Sequence, residues 1–317
     1  MSNLKPKNYN LQPSLHTPVM LSEVIHYLDP QPGKRFIDAT LGYAGHTLEL
    51  LQAGSDVVGI DRDEDLLLIA TDRIKKAGFA KQFTPIHSSF ADALDLQSHL
   101  PAVFAAQLLQ AGTLQGKFDG ILFDLGVSSY QLDTPGRGFS FRFDAPLDMR
   151  MDKSLAVTAA DLVNGLGKNE LTELFLTLGE EGNAKRIVNE ICARRLKHKI
   201  ETTEELANLI ISVVGRHRGI HPATKIFQAL RMAVNSERLE LKAALPSALS
   251  HLKEGGLVVT IAFHSLEDHI IKSWMNDAES AGQIQKVTSG VVEPGTEEIA
   301  KNPRSRSAKL RVVKRVA

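Results

Sequence analysis

The chain has 317 residues, 43% of them hydrophobic and 23% charged, and 37 bases balance 37 acids. That length suits two domains with a sizeable core, and the composition excludes fibrous and disordered classes. No apolar run nears the roughly 18 residues that cross a bilayer, residues 1–15 hold no signal-peptide core, and one cysteine, Cys192, excludes an internal disulfide or thiolate cluster; the expected compartment is the cytoplasm.

In chain order, a strand over Phe36–Ala39 runs into a glycine loop, Leu41-Gly-Tyr-Ala-Gly-His46, and a second strand, Val57–Ile60, ends in Asp61. Asp38 and Asp61 lie about as far apart as the roughly 20 positions that separate a first-strand loop from the acid gripping ribose hydroxyls in doubly wound folds. An adenosine-type cofactor is expected. An aspartate closing the first strand would repel a pyrophosphate, so Asp38 favours a cation. S-adenosylmethionine, with a sulfonium and an ammonium and no phosphate, fits these acids better than NAD or ATP. Asp61 is expected to accept both ribose hydroxyls, with the backbone of Ala44, Gly45 and His46 against the methionine part. His46 either touches ligand or caps the following helix.

A helix over Asp63–Ala77 and a third strand, Phe83–His87, follow; Phe90 then either packs on the adenine or serves as a core aromatic. The stretch Gln97–Gly116 is expected to be an elaborated connection, helical around Ala102–Gln110. The fourth strand, Gly120–Phe123, ends at Asp124. Open α/β sheets react at the carboxyl ends of their strands, so Asp124 points to where a cofactor methyl would sit. It either orients an attacking amine or holds the cofactor ammonium. Leu125–Asp152 lacks a sustained period and is expected to be a long functional loop.

Thr158–Val214 is helical in period, with Thr202-Thr-Glu-Glu as a helix start. A helix over Glu237–Leu252, stopped by Gly255-Gly256, precedes a strand at Leu257–Phe263, and Arg311-Val-Val supplies the last strand. The expected fold class is α/β, a doubly wound Rossmann-like sheet with an inserted all-helical domain. The expected division is residues 1–135 and 221–317 for the sheet domain and 136–220 for the insertion. In His264-Ser-Leu-Glu267-Asp268-His269, a metal site and a serine hydrolase both lose to a helix-start box, Ser265-x-x-Asp268, with His264 at the pocket rim; no metal is expected. Basic runs at Lys185–Lys199 and Lys301–Ala317 either neutralise phosphates or are solvated faces.

The whole pattern resembles the RsmH/MraW family, bacterial enzymes that methylate N4 of a cytidine in the decoding centre of 16S ribosomal RNA. The resemblance runs from His16-Thr-Pro-Val-Met-Leu to Asn302-Pro-Arg-Ser-Arg-Ser. Its most specific segments are Phe123-Asp-Leu-Gly-Val-Ser-Ser-Tyr-Gln-Leu-Asp, Arg137-Gly-Phe-Ser-Phe, Pro146-Leu-Asp-Met-Arg-Met-Asp, His221-Pro-Ala-Thr-Lys and Phe263-His-Ser-Leu-Glu-Asp. It implies S-adenosyl-L-methionine at Ala44, Gly45, His46, Asp61, Phe90, Asp124 and Gln131, and 16S rRNA within the small subunit or its precursor as partner. The family usually has glycine where this chain has Ala44, a residue that suits a negative φ. A flipped base must be stacked and read at its edge, which assigns Tyr130, Arg137, Phe139, Arg142 and His264 to the substrate, although the loop aromatics equally suit a lid packed on the insertion. No membrane partner is expected, and the oligomeric state is left open, a dimer being one option. Other readings are a methyltransferase for DNA, protein or a small molecule, a non-catalytic cofactor-sensing assembly factor, and a dehydrogenase.

Overall fold

The computed structural model describes residues 17–95, 117–216, 219 and 221–316. The expected connection at Gln97–Gly116 lies outside them. Seven strands form one sheet: β1 (Arg35–Asp38), β2 (Asp56–Asp61), β3 (Phe83–His87), β4 (Phe118–Asp124), β5 (Leu252–Ala262), β6 (Ile284–Lys286) and β7 (Lys309–Arg315). Their order is β3-β2-β1-β4-β5-β7-β6. The first five run parallel, while β7 is antiparallel to both β5 and β6. Apolar runs such as Ile121, Leu122 and Phe123, all fully buried, suit strands covered on both faces.

From β1 the chain winds outward through β2 to β3, and from β4 it winds the other way to β5. This reversal leaves a crevice at the carboxyl ends of β1 and β4, where open α/β sheets bind ligands. The helix Leu21–Leu28 covers one face with Gly45–Gln52 and Glu64–Lys76, and Glu237–His251 and Ser265–Ser280 cover the other. In Glu237–His251 the buried Leu241, Leu245, Ala248 and Leu249 form the stripe that meets the sheet.

The helix ends differently from expectation. Leu252 is already extended and pairs with Phe118, so hydrogen bonding to β4 takes over directly from the helix. Gly255, at φ 79°, lies within the irregular first part of β5 instead of capping the helix. The strand β6 has only three residues, too few for a period-2 signal, and went unread.

A second hydrophobic cluster gathers Phe139, Leu147 and Met149 with Leu171, Phe175, Ile187, Ile191, Leu206 and Ile210 from the helices Lys168–Thr177, Ala184–Arg195 and Thr203–Val214. Thr158 and Thr202 each close a capping box, with Asp161 and Glu205 respectively. The helix Thr224–Val234 buries Ile226, Phe227 and Leu230 in this same cluster. The sequence reading had assigned it to the resumed sheet domain. Its apolar stripe meets the helical layer because the chain rejoins the sheet only at Glu237. We place the insertion's far limit accordingly near Val234.

Candidate active site

The crevice between β1 and β4 holds a cavity of about 340 Å³. Its wall includes Gly42, His46, Asp61, Phe90, Asp124 and Gln131, so five of the seven residues expected at the cofactor come together. Ala44 and Gly45 stand behind that wall. The methyl of Ala44 is fully buried with Leu41 and Leu48, and a side chain on Gly45 would meet Pro18 at 3.0 Å. Ala44 sits at φ 60°, a left-handed conformation and not the negative φ that suits alanine.

Backbone amides hold Asp61 in place. Gly42 N–H donates to its Oδ2 and Asp63 N–H to its Oδ1, each at 2.8 Å. Burial raises the Asp61 carboxyl to about 6, against these two bonds and with help from Asp63 and Asp38. Asp38 lies beneath the loop, accepting from the Thr47 hydroxyl at 2.7 Å, and burial likewise raises it to about 6. Asp124 is carried by β4, where its N–H donates to Thr40 Oγ1 at 2.7 Å. Burial, followed by the charges of Asp38 and Glu267, raises its carboxyl well above the ordinary range. Asp124 Oδ1 is buried without a hydrogen-bond partner. Three carboxyls under this strain, one with an orphaned oxygen, fit a ligand that brings positive charge and donor groups. Asp61 and Gln131 fit the sugar side of S-adenosylmethionine, and Phe90 offers a ring beside the cavity while packing edge-on to Phe123 at 5.7 Å. Phe90 thus packs on the core, as one of its two sequence readings expects, while its ring also borders the cavity.

The residues assigned to substrate behave differently. Tyr130, Arg137, Phe139, Arg142 and His264 are absent from the cavity wall among the described residues. Arg137 is 6% exposed. Its guanidinium donates to both oxygens of Asp63, at 2.7 and 3.1 Å, and to the carbonyls of Arg150 and Met151. Gln131 Nε2 donates to the same Asp63 at 2.8 Å, and Asp63 N–H in turn holds Asp61. Arg137 thus fastens the root of the insertion, through Asp63, to Asp61 at the cavity wall. It is a clamp, and its bonds leave little for RNA. Gly138 follows at φ 72°, where a Cβ would strike the Pro146 carbonyl at 2.3 Å. Phe139 is buried in the helical cluster and Phe141 stacks on His221 at 4.2 Å, the lid-like packing. Tyr130 meets Tyr43 edge-on at 6.2 Å, while Arg142 is exposed.

His264 caps the helix Ser265–Ser280, its ring accepting from Glu267 N–H, so the cap falls one residue before the expected Ser265. Ser265 Oγ instead donates to Glu180 at 2.8 Å. Sequence reasoning missed the wall formed by Arg231, Glu237 and Glu267. Arg231 donates to Glu237 through two bonds of 2.7 Å, and His264 Nε2 lies 3.0 Å from Glu267 Oε1. Burial would raise Glu267, yet His264, the charge of Arg231 and the Phe263 N–H together hold it below its ordinary value. Glu237, His264 and Glu267 bring potential ligand atoms within 4.8 Å, but the guanidinium of Arg231 already supplies the cation there. A conspicuous acid in His264-Ser-Leu-Glu267 was the available signal; Arg231 and Glu237 sit in an ordinary helical pattern and gave none.

Most bases of the tail find partners within the chain, although Lys301, Arg304 and Arg306 are exposed. Arg304 reaches Asp133 and Ser129 beside the cavity, Lys309 and Arg311 meet Asp268, and Arg315 donates to the carbonyls of Leu249 and Leu252. In the other basic run, Arg186 and Arg195 donate to backbone carbonyls, while Lys185, Arg194, Lys197 and Lys199 stay exposed around Leu196, which is 87% exposed.

A doubly wound sheet with an acid-lined nucleoside pocket at its switch point defines an S-adenosylmethionine-dependent methyltransferase. The chain belongs to the MraW methylase family, whose model matches residues 13–316. The "Ribosomal RNA small subunit methyltransferase H" of Dictyoglomus thermophilum is 42% identical over 95% of this chain and 97% of its own length. The protein of the same name from Deinococcus deserti is 44% identical over 95% of this chain and 94% of its own. That from Cyanothece is 43% identical over 95% of each.

Proposed function

We propose that this protein transfers a methyl group from S-adenosylmethionine to N4 of a cytidine in the decoding centre of 16S ribosomal RNA, acting on the small subunit or its precursor in the cytoplasm. The observation that carries it is the orphaned carboxylate oxygen of Asp124 at the β1/β4 crevice, in a chain that matches the methylase family from end to end of its described part. When bound, S-adenosylmethionine supplies an electrophilic methyl on a cationic sulfur. Asp61 holds the ribose, and Gln131 and the Gly42 loop close the pocket around it. An exocyclic amine is a poor nucleophile while its lone pair is conjugated. Asp124, accepting one amine N–H, turns that lone pair toward the methyl and raises its electron density. Positioning of this kind supplies most of the acceleration available to a displacement in line.

The wall of Arg231, Glu237 and Glu267 faces the same cavity and offers charged groups to the base edge. The exposed bases at Lys185–Lys199 on the insertion suit a phosphate backbone. Incubation with labelled cofactor and unmodified small subunits, followed by digestion to nucleosides and mass spectrometry, should yield N4-methylcytidine. Label found on DNA alone, or on another base, refutes the reading.

A further inference from the structure

The proposed transfer leaves a proton to be removed. The amine lone pair forms the bond to carbon, the carbon–sulfur pair leaves with sulfur, and the positive charge now on N4 is lost as one N–H proton. Asp124 is the carboxylate at hand, and His46 stands behind it. His46 Nδ1 lies 3.7 Å from Asp124 Oδ2, and the imidazole is 5% exposed. Its other nitrogen, Nε2, is 3.0 Å from the carbonyl oxygen of Val19. A carbonyl only accepts, so Nε2 carries the hydrogen and, in the neutral ring, Nδ1 presents a lone pair toward Asp124.

We propose that Asp124 and His46 act as one proton-accepting pair, Asp124 taking the amine proton and His46 Nδ1 receiving it in turn. This rests on the amine-methylation reading above. Asp124 is the group that touches substrate; His46 acts through it and is a positioning residue. For transfer the 3.7 Å gap must close by about 1 Å, a tightening of the kind that substrate binding brings to catalytic hydrogen bonds. The surroundings favour a proton here. Asp38 closes β1, Glu267 faces Asp124 from the helix after β5, Asp61 closes β2, and Glu298 accepts from Met20 N–H beside Val19. Tyr43 and the cations Arg62, Arg231, Arg238 and Arg304 also line the cavity, Arg62 held by Glu240, Arg231 by Glu237 and Arg304 by Asp133. The high affinity of buried Asp124 for a proton, unhelpful for a resting carboxylate, is what an acceptor needs once the positive charge has moved from sulfur to the amine.

Two measurements test the pair. In single turnovers with saturating cofactor and RNA, His46→Asn and His46→Gln should slow methyl transfer by about 100-fold with little change in RNA KM. Their rates should climb about tenfold per pH unit from 6 to 8, with solvent hydroxide replacing the lost acceptor, where the parent is flat. A parent-like pH profile in a folded variant, or a loss confined to KM, overturns the proposal. Nitrogen NMR of the parent, without turnover, should show His46 protonated at Nε2 and bare at Nδ1, with the Nδ1 resonance moving in Asp124→Asn. A hydrogen resident on Nδ1, or no response to Asp124→Asn, overturns it too. If the methylated nucleoside proves not to be N4-methylcytidine, the substrate reading fails while the tautomer result still judges the pair.

Discussion

Ala44 holds a left-handed backbone at φ 60° with its methyl fully buried. The conformation costs an L-residue about 1–2 kcal/mol. Burial of the methyl returns about 0.8 kcal/mol, and a glycine would add about 0.5–1 kcal/mol of unfolded-state entropy. Ala44→Gly should therefore leave the unfolding free energy within about 1 kcal/mol of the parent by urea titration. Cofactor affinity should also be little changed, because the methyl points into the core and not at the cavity. Asp61 carries the pH dependence. In the proposed role its ionised form accepts the ribose hydroxyls, and burial holds the free carboxyl at about 6. Binding thus releases a proton below that value, and affinity should rise with pH up to about 6 and level off above it. The same shift has the opposite sign for the ligand-free fold: a raised carboxyl lends stability that is lost as pH climbs from the unfolded value through about 6. Asp61→Asn should weaken binding by about 10- to 100-fold and flatten part of the pH slope by calorimetry. Asp61 and Asp124 were legible because strand ends and spacing point to them; Arg231 was not, because nothing in one helix reveals which residue the fold turns toward a crevice.

Among elements, the short helix Ser129–Asp133 and the turn Pro135–Arg137 join the two cores. Arg137 is their fastening, and removing one partner of a buried pair costs about 3–5 kcal/mol because the other charge is left without compensation. Arg137→Ala should cost that much in denaturant titration and also loosen cofactor binding, since Asp63 positions Asp61. A change below about 1 kcal/mol would show that the pair is not a clamp. In sequence, an arginine among aromatics reads as an RNA contact, since burial depends on a partner about 70 positions earlier. The internal pairing of the basic tail was illegible for a related reason: the carboxylates and carbonyls that receive the bases of β7 come from distant elements. Helix starts at Thr158 and Thr202 were readable because a capping box is local.

Across the molecule, the doubly wound class followed from strand-helix alternation, and the helical block from its period, but the strand order and the chain's return to the sheet did not. The helix Thr224–Val234 has an apolar stripe that either core would accept, and only packing decides. Asn235 marks the passage. Buried to 1% exposure, it accepts from Met151 N–H and donates to the carbonyls of Met149 and Arg231, while its own carbonyl accepts from Arg62 beside Asp61. Asn235→Ala would leave the Met151 N–H and Met149 carbonyl buried without partners, at about 1–3 kcal/mol each. The variant should lose stability by that order in thermal unfolding, and amide hydrogen exchange should quicken at residues 149–151.

Strand β7 also bears on how the chain is made. It fills the place between β5 and β6, yet it follows both in sequence. While the chain emerges from a ribosome, the four strands β1 to β4 and the helical insertion are complete well before β5 has its second neighbour. Until residues 309–315 arrive, β5 presents an open edge of backbone donors and acceptors with Val258, Val259 and Ile261 along it. Such an edge invites pairing with other chains. Nascent protein thus carries this exposed edge until residues 309–315 are made and paired.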